Sequence, residues 1–445
     1  MTGLKLFYFV LFGQAMSLLG STLTNFGLGV WAYERGGNVT DFTNIAIAST
    51  LPGILLGPVI GTLIDRWDRK WTLFFAQAGS AVATAILAAL FWFDRLELWH
   101  ILLVVPFASV CGTMLQVGFT STISLVVPKD SLPRANGAVG LAFGTIQLSS
   151  PILAGVAIDN IGLKGVFLID IVTFIIGLIT LLVAVLPNPV REKVLKKFEL
   201  AHLWHDLVDA YLYIKSKKGV LGGLYLFTLI WFNVSIVQVL FLPMILSIGT
   251  KTDLGFVQSM GGVGTLAGGI LMVVWKGPKR KMFGILGGSA LISIGLIIVP
   301  MTTSISLLAI GAFWVMVSAP VATTCSQTMW QQKTAPLYQG RVFSLRNTIM
   351  RAAQPVAYFA AGVLADHFFE PHMQEGQALA PYFGSVWGVG EGRGVALMIS
   401  FVGLVSLLVV FICWLIPSIR RVDIDVPDFD EEDEKLLQNN HIERA

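Results

Sequence analysis

Arg351 stands in an apolar run with Asn347 four residues before it and Gln354 three after, so one face of a helix there carries a guanidinium between two amides. A guanidinium so placed can bind a polar or anionic substrate, close a gating ion pair, or lock two helices together. It lies ten residues beyond Arg341, where the run begins. At about 1.5 Å per residue that is roughly 15 Å, near the middle of a bilayer, where a charge costs at least ~2.5 kcal/mol and is by default functional.

Asp170 is the only acid well inside an apolar run. It could pair with a cation, cap a neighbouring helix or carry a proton. Neutral amides recur at Gln14, Asn25, Gln116, Gln147, Asn233, Gln238, Gln327 and Gln331. Taken singly, each is explained as well by a hydrogen bond between helices as by a ligand. As a set among Phe, Trp and Met, they fit a cavity for an amphipathic molecule rather than an ion. The pairs His202/His205 and His367/His372 lack a third ligand, so no metal site is expected. No nucleophile–base set, metal triad or phosphate loop is present, and the reading is not an enzyme.

The elements that must hold these residues are membrane helices. Of 445 residues 55% are hydrophobic and 13% charged, against roughly a quarter charged in a soluble domain. Mean hydropathy is +0.75. Twelve apolar runs of spanning length lie near 6–31, 42–64, 71–93, 99–126, 137–158, 165–186, 220–248, 255–275, 282–302, 305–332, 342–365 and 394–416. The first is longer than a signal-peptide core and is expected to remain as an anchor. Cys111, Cys325 and Cys413 fall inside such runs and read as small apolar residues. The plan is a six-helix bundle at 1–186, a basic cytoplasmic linker at 187–219, a second bundle at 220–416 and an acidic tail at 417–445 that reads as disordered and solvated. With both termini in the cytoplasm, 24 of the 30 Lys and Arg fall on inner segments and 5 on outer loops, which sets the topology. A net charge of +3 gives no case for nucleic acid.

The halves repeat. Arg134, Gln147, Gly155, Val156 and Asp159 recur as Arg341, Gln354, Gly362, Val363 and Asp366, all at an offset of 207. Such duplication is a common plan of transporters.

Between the second and third runs, Gly61, Leu63, Asp65, Arg66, Arg69 and Lys70 match the loop signature G-x-L-x-D-R-x-G-R-K of the major facilitator superfamily, which the chain resembles over nearly its whole length. Asp68 replaces the signature's glycine. The fifth run, with Gly140, Gly144, Ser150, Pro151 and Gly155, resembles a worn exporter motif, in which Pro151 and Gly155 allow a bend and close helix packing. The P-x-x-x-L-x-R-A-N stretch at 128–136 is similar to the macrolide- and siderophore-exporter branch.

The resemblance implies an all-α polytopic membrane protein of twelve transmembrane helices in two pseudo-symmetric six-helix bundles. It implies gating by Gly61, Asp65, Arg66, Arg69, Arg341 and Arg346, with Asp65 at the inner end of the eleventh helix. Helices 1, 4, 7 and 10 would line the cavity, which nominates Asn25, Gln116, Asn233, Gln238 and Gln327, with Arg351 and Gln354, as substrate contacts. The sixth helix would lie outside that cavity, which makes Asp170 structural, with proton carriage the alternative. The fourth run lacks the arginine that many proton-coupled exporters carry. The expected function is export of an amphipathic drug, siderophore or secondary metabolite across the bacterial inner membrane by alternating access, with a proton gradient as driving force. No cofactor, no nucleic acid and a monomer in the bilayer are expected. An uptake carrier, uniporter or lipid flippase of the same fold is the alternative. A membrane sensor docking a partner through its tail is an alternative of another class.

Overall fold

Where no water reaches, each backbone N–H and C=O must be satisfied within the chain, and the helix is the form that does so along a single apolar run. The computed structural model describes residues 3–128, 131–185, 208–215 and 218–428, without the side chains at 58, 61, 62, 65, 66, 124, 125, 133, 218, 336, 337 and 340. Among them the long helices are α1 (Leu4–Gly36), α2 (Val39–Arg66), α3 (Arg69–Trp92) and α4 (Leu98–Val126). Leu132–Val183 is one helical stretch that turns at Gly162, where φ is 64°, and it divides into α5 (132–161) and α6 (163–183). Then follow α7 (Lys218–Leu246), α8 (Lys251–Trp275), α9 (Lys281–Ile298), α10 (Ile305–Lys333), α11 (Pro336–Leu364) and α12 (Arg393–Leu415).

Ten stretches are long and apolar enough to cross a membrane, with α5 and α6 counted as one. The remaining helix, α11, is interrupted by Arg341, Arg346, Asn347 and Arg351 and spans 29 residues. Among the described residues a long helix therefore stands at each of the twelve expected runs, within a few residues of its sequence limits.

The helices gather into two compact units. The first holds α1–α6 together with 239–259 and 358–371; the second holds the rest of the chain from 197 onward. Packing thus departs from the sequence halves, because parts of α7, α8 and α11 belong with the first bundle. In the first unit α1 lies close to α6 along glycines seven residues apart. A Cβ at Gly13 would sit 2.0 Å from Thr180 Oγ1, and one at Gly20 would sit 2.0 Å from Thr173 Oγ1. Only glycine admits that approach. Phe167, Ile101 and Ala154 fill the neighbouring core, and Trp330, Met282 and Leu224 fill that of the second unit.

Two findings correct or complete the sequence reading. Asp68, where the loop signature has glycine, is the N-cap of α3 and accepts from the Trp71 N–H at 3.0 Å. The stretch from Pro417 to Asp428 is not solvated disorder. It forms short helices, Pro417–Arg420 and Val422–Asp425, with Val422 fully buried. Asp423 accepts from the Met282 N–H at 2.9 Å and so caps α9, while the buried Lys333 pairs with Asp428 at 2.8 Å and donates to the carbonyls of Asp423 and Val426. Counting acids in the tail missed these partners, which are an orphan helix N-terminus and a buried ammonium. Residues 429–445 lie outside the described residues.

Candidate functional site

Ser and Thr are frequent on the inner faces of α1, α3 and α4, and there they surround a cavity of about 490 Å³ within the first bundle. Its wall brings together Gln14 and Asn25 of α1, Gln116 of α4 and Gln147 of α5, interleaved with Leu28, Phe119, Phe143 and Phe174. Amides among apolar rings, in a volume of a few hundred Å³, are the usual makeup of a site for a small organic molecule. Of the amides expected to meet substrate, Asn25 and Gln116 lie on this wall.

Asp170 of α6 is also on the wall, and it is the one ionisable side chain among the described residues that form it. It is fully buried. Thr84 of α3 donates to Oδ2 at 3.2 Å, and Ser21 of α1 donates to Oδ1 at 3.5 Å. A Cβ at Gly20 would stand 2.7 Å from Oδ1, so the close crossing of α1 and α6 makes room for the carboxyl. Beside it, Gln77 donates to Ser17 Oγ at 2.6 Å. The sixth helix, expected outside the cavity, therefore contributes a carboxyl to the polar space of its own bundle.

The other nominated contacts do not join this wall. Asn233 is buried and donates to Ser406 Oγ at 2.7 Å, a hydrogen bond between α7 and α12. Gln327 and Gln354 are half-buried, and Gln238 and Arg351 are exposed. Arg346 lies over the rings of Phe227 and Trp330, with its guanidinium carbon 6.0 and 5.8 Å from their centres. Arg341 reaches Asp209 at 4.0 Å. Arg69 is buried at the start of α3, and Lys70 donates to the Leu182 carbonyl at 2.7 Å. The backbone of 61–66 is the last part of α2, but the placements that would test Gly61, Asp65 and Arg66 as a gate lie outside the described residues.

At the end of the first bundle opposite the 61–70 turn, the repeat acquires a structural meaning. Asp366, just past α11, accepts from the Val39 N–H at 2.9 Å and the Thr40 N–H at 2.7 Å, the first two N–H groups of α2. Asp159, near the end of α5, accepts from the Thr252 N–H at 3.0 Å and Thr252 Oγ1 at 2.5 Å, at the start of α8. Each carboxylate satisfies orphan donors at a helix N-terminus, where the helix dipole also favours a negative charge. One turn earlier stand the paired glycines. A Cβ at Gly155 would lie 2.4 Å from the Lys251 carbonyl oxygen, and one at Gly362 would lie 2.4 Å from Thr43 Oγ1. Lys251 also pairs with Glu34 at 3.0 Å. The sequence showed Asp159 and Asp366 only as repeat identities, because the donors they bind lie 93 and about 327 positions away. Pro151 lies against α8 as well, its carbonyl oxygen 2.3 Å from a Cβ at Gly255.

Comparison with known proteins agrees with this architecture. Residues 10–358 match the family model described as Major Facilitator Superfamily. Macrolide efflux protein A of Streptococcus pyogenes is 24% identical over 376 residues, covering 82% of this chain and 91% of that protein. Macrolide efflux protein A of Enterococcus faecalis is 24% identical over 323 residues, covering 70% of this chain and 97% of that protein. Among solved structures, the nucleoside transporter NupG superposes with a TM-score of 0.66 at 11% identity, over 92% of this chain and 98% of that one.

Proposed function

Because the chain belongs to the Major Facilitator Superfamily, and is thereby a multi-pass membrane transporter rather than an enzyme, we propose that it exports an amphipathic small molecule by alternating access in exchange for protons. A drug, siderophore or secondary metabolite is the substrate class. The observation that carries this reading is the cavity of about 490 Å³, whose wall pairs neutral amides with phenylalanine and leucine and holds one carboxyl. Such a wall recognises a molecule through hydrogen bonds and apolar contact together, and it carries no cluster of like charge that would select a simple anion. The likeness to two macrolide efflux proteins supports export over uptake.

The basic segments set the orientation in this reading. The bacterial inner membrane is crossed with both termini in the cytoplasm, and the 61–70 turn faces inward. The end bearing Asp159 and Asp366 then faces outward, and the two carboxylates act as its clamps. Alternating access requires those clamps to release and re-form once per cycle.

Everted membrane vesicles test the function. Wild-type vesicles are supplied with tritiated erythromycin and with lipophilic dyes, with and without a proton gradient. The reading requires uphill accumulation that disappears when the gradient is collapsed. Accumulation of none of these probes would count against an amphipathic exporter. Flux that persists undiminished without the gradient would make the protein a facilitator.

A further inference from the structure

We propose that Asp170 carries the coupling proton, an assignment that rests on the proton-driven export reading above. Three aspartates of the first unit are held by protein donors in different ways. Asp366 is held by two backbone N–H groups, and Asp159 by one backbone N–H and a hydroxyl. A backbone N–H only donates, so it requires an acceptor oxygen opposite it. Asp170 is held by the hydroxyls of Ser21 and Thr84, one on each carboxyl oxygen. A hydroxyl can donate to a carboxylate or, after rotation, accept from a carboxylic acid. The pair can therefore satisfy Asp170 in both protonation states without moving a helix.

The surroundings fit the same role. Asp170 has no ion-pair partner among the described residues. Helix α1 presents Gln14, Ser17, Ser21 and Thr24 to the cavity, α3 presents Ser80 and Thr84, α4 presents Ser109 and Gln116, and α5 presents Gln147, none of them charged. Among the described residues the proton thus has one site in this space, with no neighbouring cation to hold the carboxyl permanently ionised. Thr24 adds a third hydroxyl beside the Asp170 carboxyl. A polar group left over in the wall points to a bound species: Gln14 is more than nine-tenths buried, and its Nε2 has no hydrogen-bond partner among the described residues. Such a group is matched by water or ligand in the working protein.

The step is a simple exchange. One Asp170 oxygen takes a proton from a hydronium ion when the cavity communicates with the outside, forming an O–H bond and leaving water. That bond breaks, and the proton returns to water, when the cavity communicates with the cytoplasm. No electron changes place.

The test uses the full-length protein in everted vesicles with tritiated erythromycin as probe, comparing wild type, Asp170→Asn and Asp170→Glu. Two quantities are read: uphill accumulation driven by the proton gradient, and gradient-free exchange of labelled for unlabelled erythromycin. Asp170→Asn should lower uphill accumulation at least tenfold while exchange continues, and Asp170→Glu should recover part of the accumulation. Uphill accumulation by Asp170→Asn at the wild-type level would place the proton elsewhere and leave the export reading standing. Loss of accumulation and exchange together would make Asp170 a structural residue and overturn the assignment. Wild-type transport indifferent to the gradient would remove proton coupling itself, and this assignment with it.

Discussion

If Asp366 clamps the outward end by capping α2, replacing it should open that end by a predictable amount. The carboxylate satisfies two N–H groups, of Val39 and Thr40, at 2.9 and 2.7 Å. Losing an N-terminal cap costs about 0.5–2 kcal/mol, and hydrogen bonds to a charged group stand at the upper part of that range. Once the clamp releases, water can replace the carboxylate, so most of the cost falls on the closed state. Asp366→Ala should therefore shift the equilibrium toward outward opening by about 1–2 kcal/mol, or roughly 5- to 30-fold. Asp159→Ala should act similarly, and the two should combine nearly additively, because they bind different helices. The reporter is Thr43→Cys in a chain whose three native cysteines, all buried, are replaced by alanine. Thr43 is 1% exposed and lies against Gly362, so a membrane-impermeant thiol reagent reaches position 43 only when the clamp is open. Labelling should accelerate 5- to 30-fold with Asp366→Ala and further in the double variant. Labelling at the unperturbed rate in both would refute the clamp.

Two other expectations follow from single contacts. Gly155→Ala places a Cβ 2.4 Å from the Lys251 carbonyl oxygen and 3.0 Å from Thr252 Cα, both backbone, so α8 must move off α5. Transport should fall at least tenfold with the protein still in the membrane, whereas Gly137→Ala, which meets nothing within 4 Å, should transport normally. Lys333→Met removes a buried ammonium that holds Asp428 and two carbonyls, at a cost of about 1–3 kcal/mol to that contact. Limited proteolysis should then cleave within 417–428 several-fold faster than in the parent protein, and an unchanged rate would show that the segment is held by other means.

What the sequence disclosed, and what it withheld, follows the range of the interactions. Twelve helices were legible because apolar length is a local property, and their limits came within a few residues. The border of the fifth and sixth runs, read between 158 and 165, falls at Gly162, where one helical stretch turns. The amides at 25 and 116 were nominated through the resemblance, which puts the first and fourth helices at the cavity, and both lie on its wall. Asn233 looked the same in sequence, and only the distant Ser406 distinguishes it. Asp170 was visible as an intramembrane acid, but the partners that define its chemistry come from α1 and α3, 149 and 86 positions away. The repeat at offset 207 was legible as ancestry, and its mechanical sense appeared only when Asp159 and Asp366 met the N-termini of α8 and α2. Asp68 and Asp423 were read as a motif departure and as part of a charge run. Each is a helix cap, a role set by one backbone N–H that no composition count records.

The central claim is that outward movement of an amphipathic molecule is driven by inward movement of protons. Purified protein in liposomes, with an imposed pH gradient, no other protein and a pH-sensitive dye inside, tests it most directly. Adding erythromycin to one side should move protons the opposite way, and reversing the pH gradient should reverse the net flow of erythromycin. Erythromycin flux with no accompanying proton movement, and with a direction indifferent to the gradient, would contradict the account.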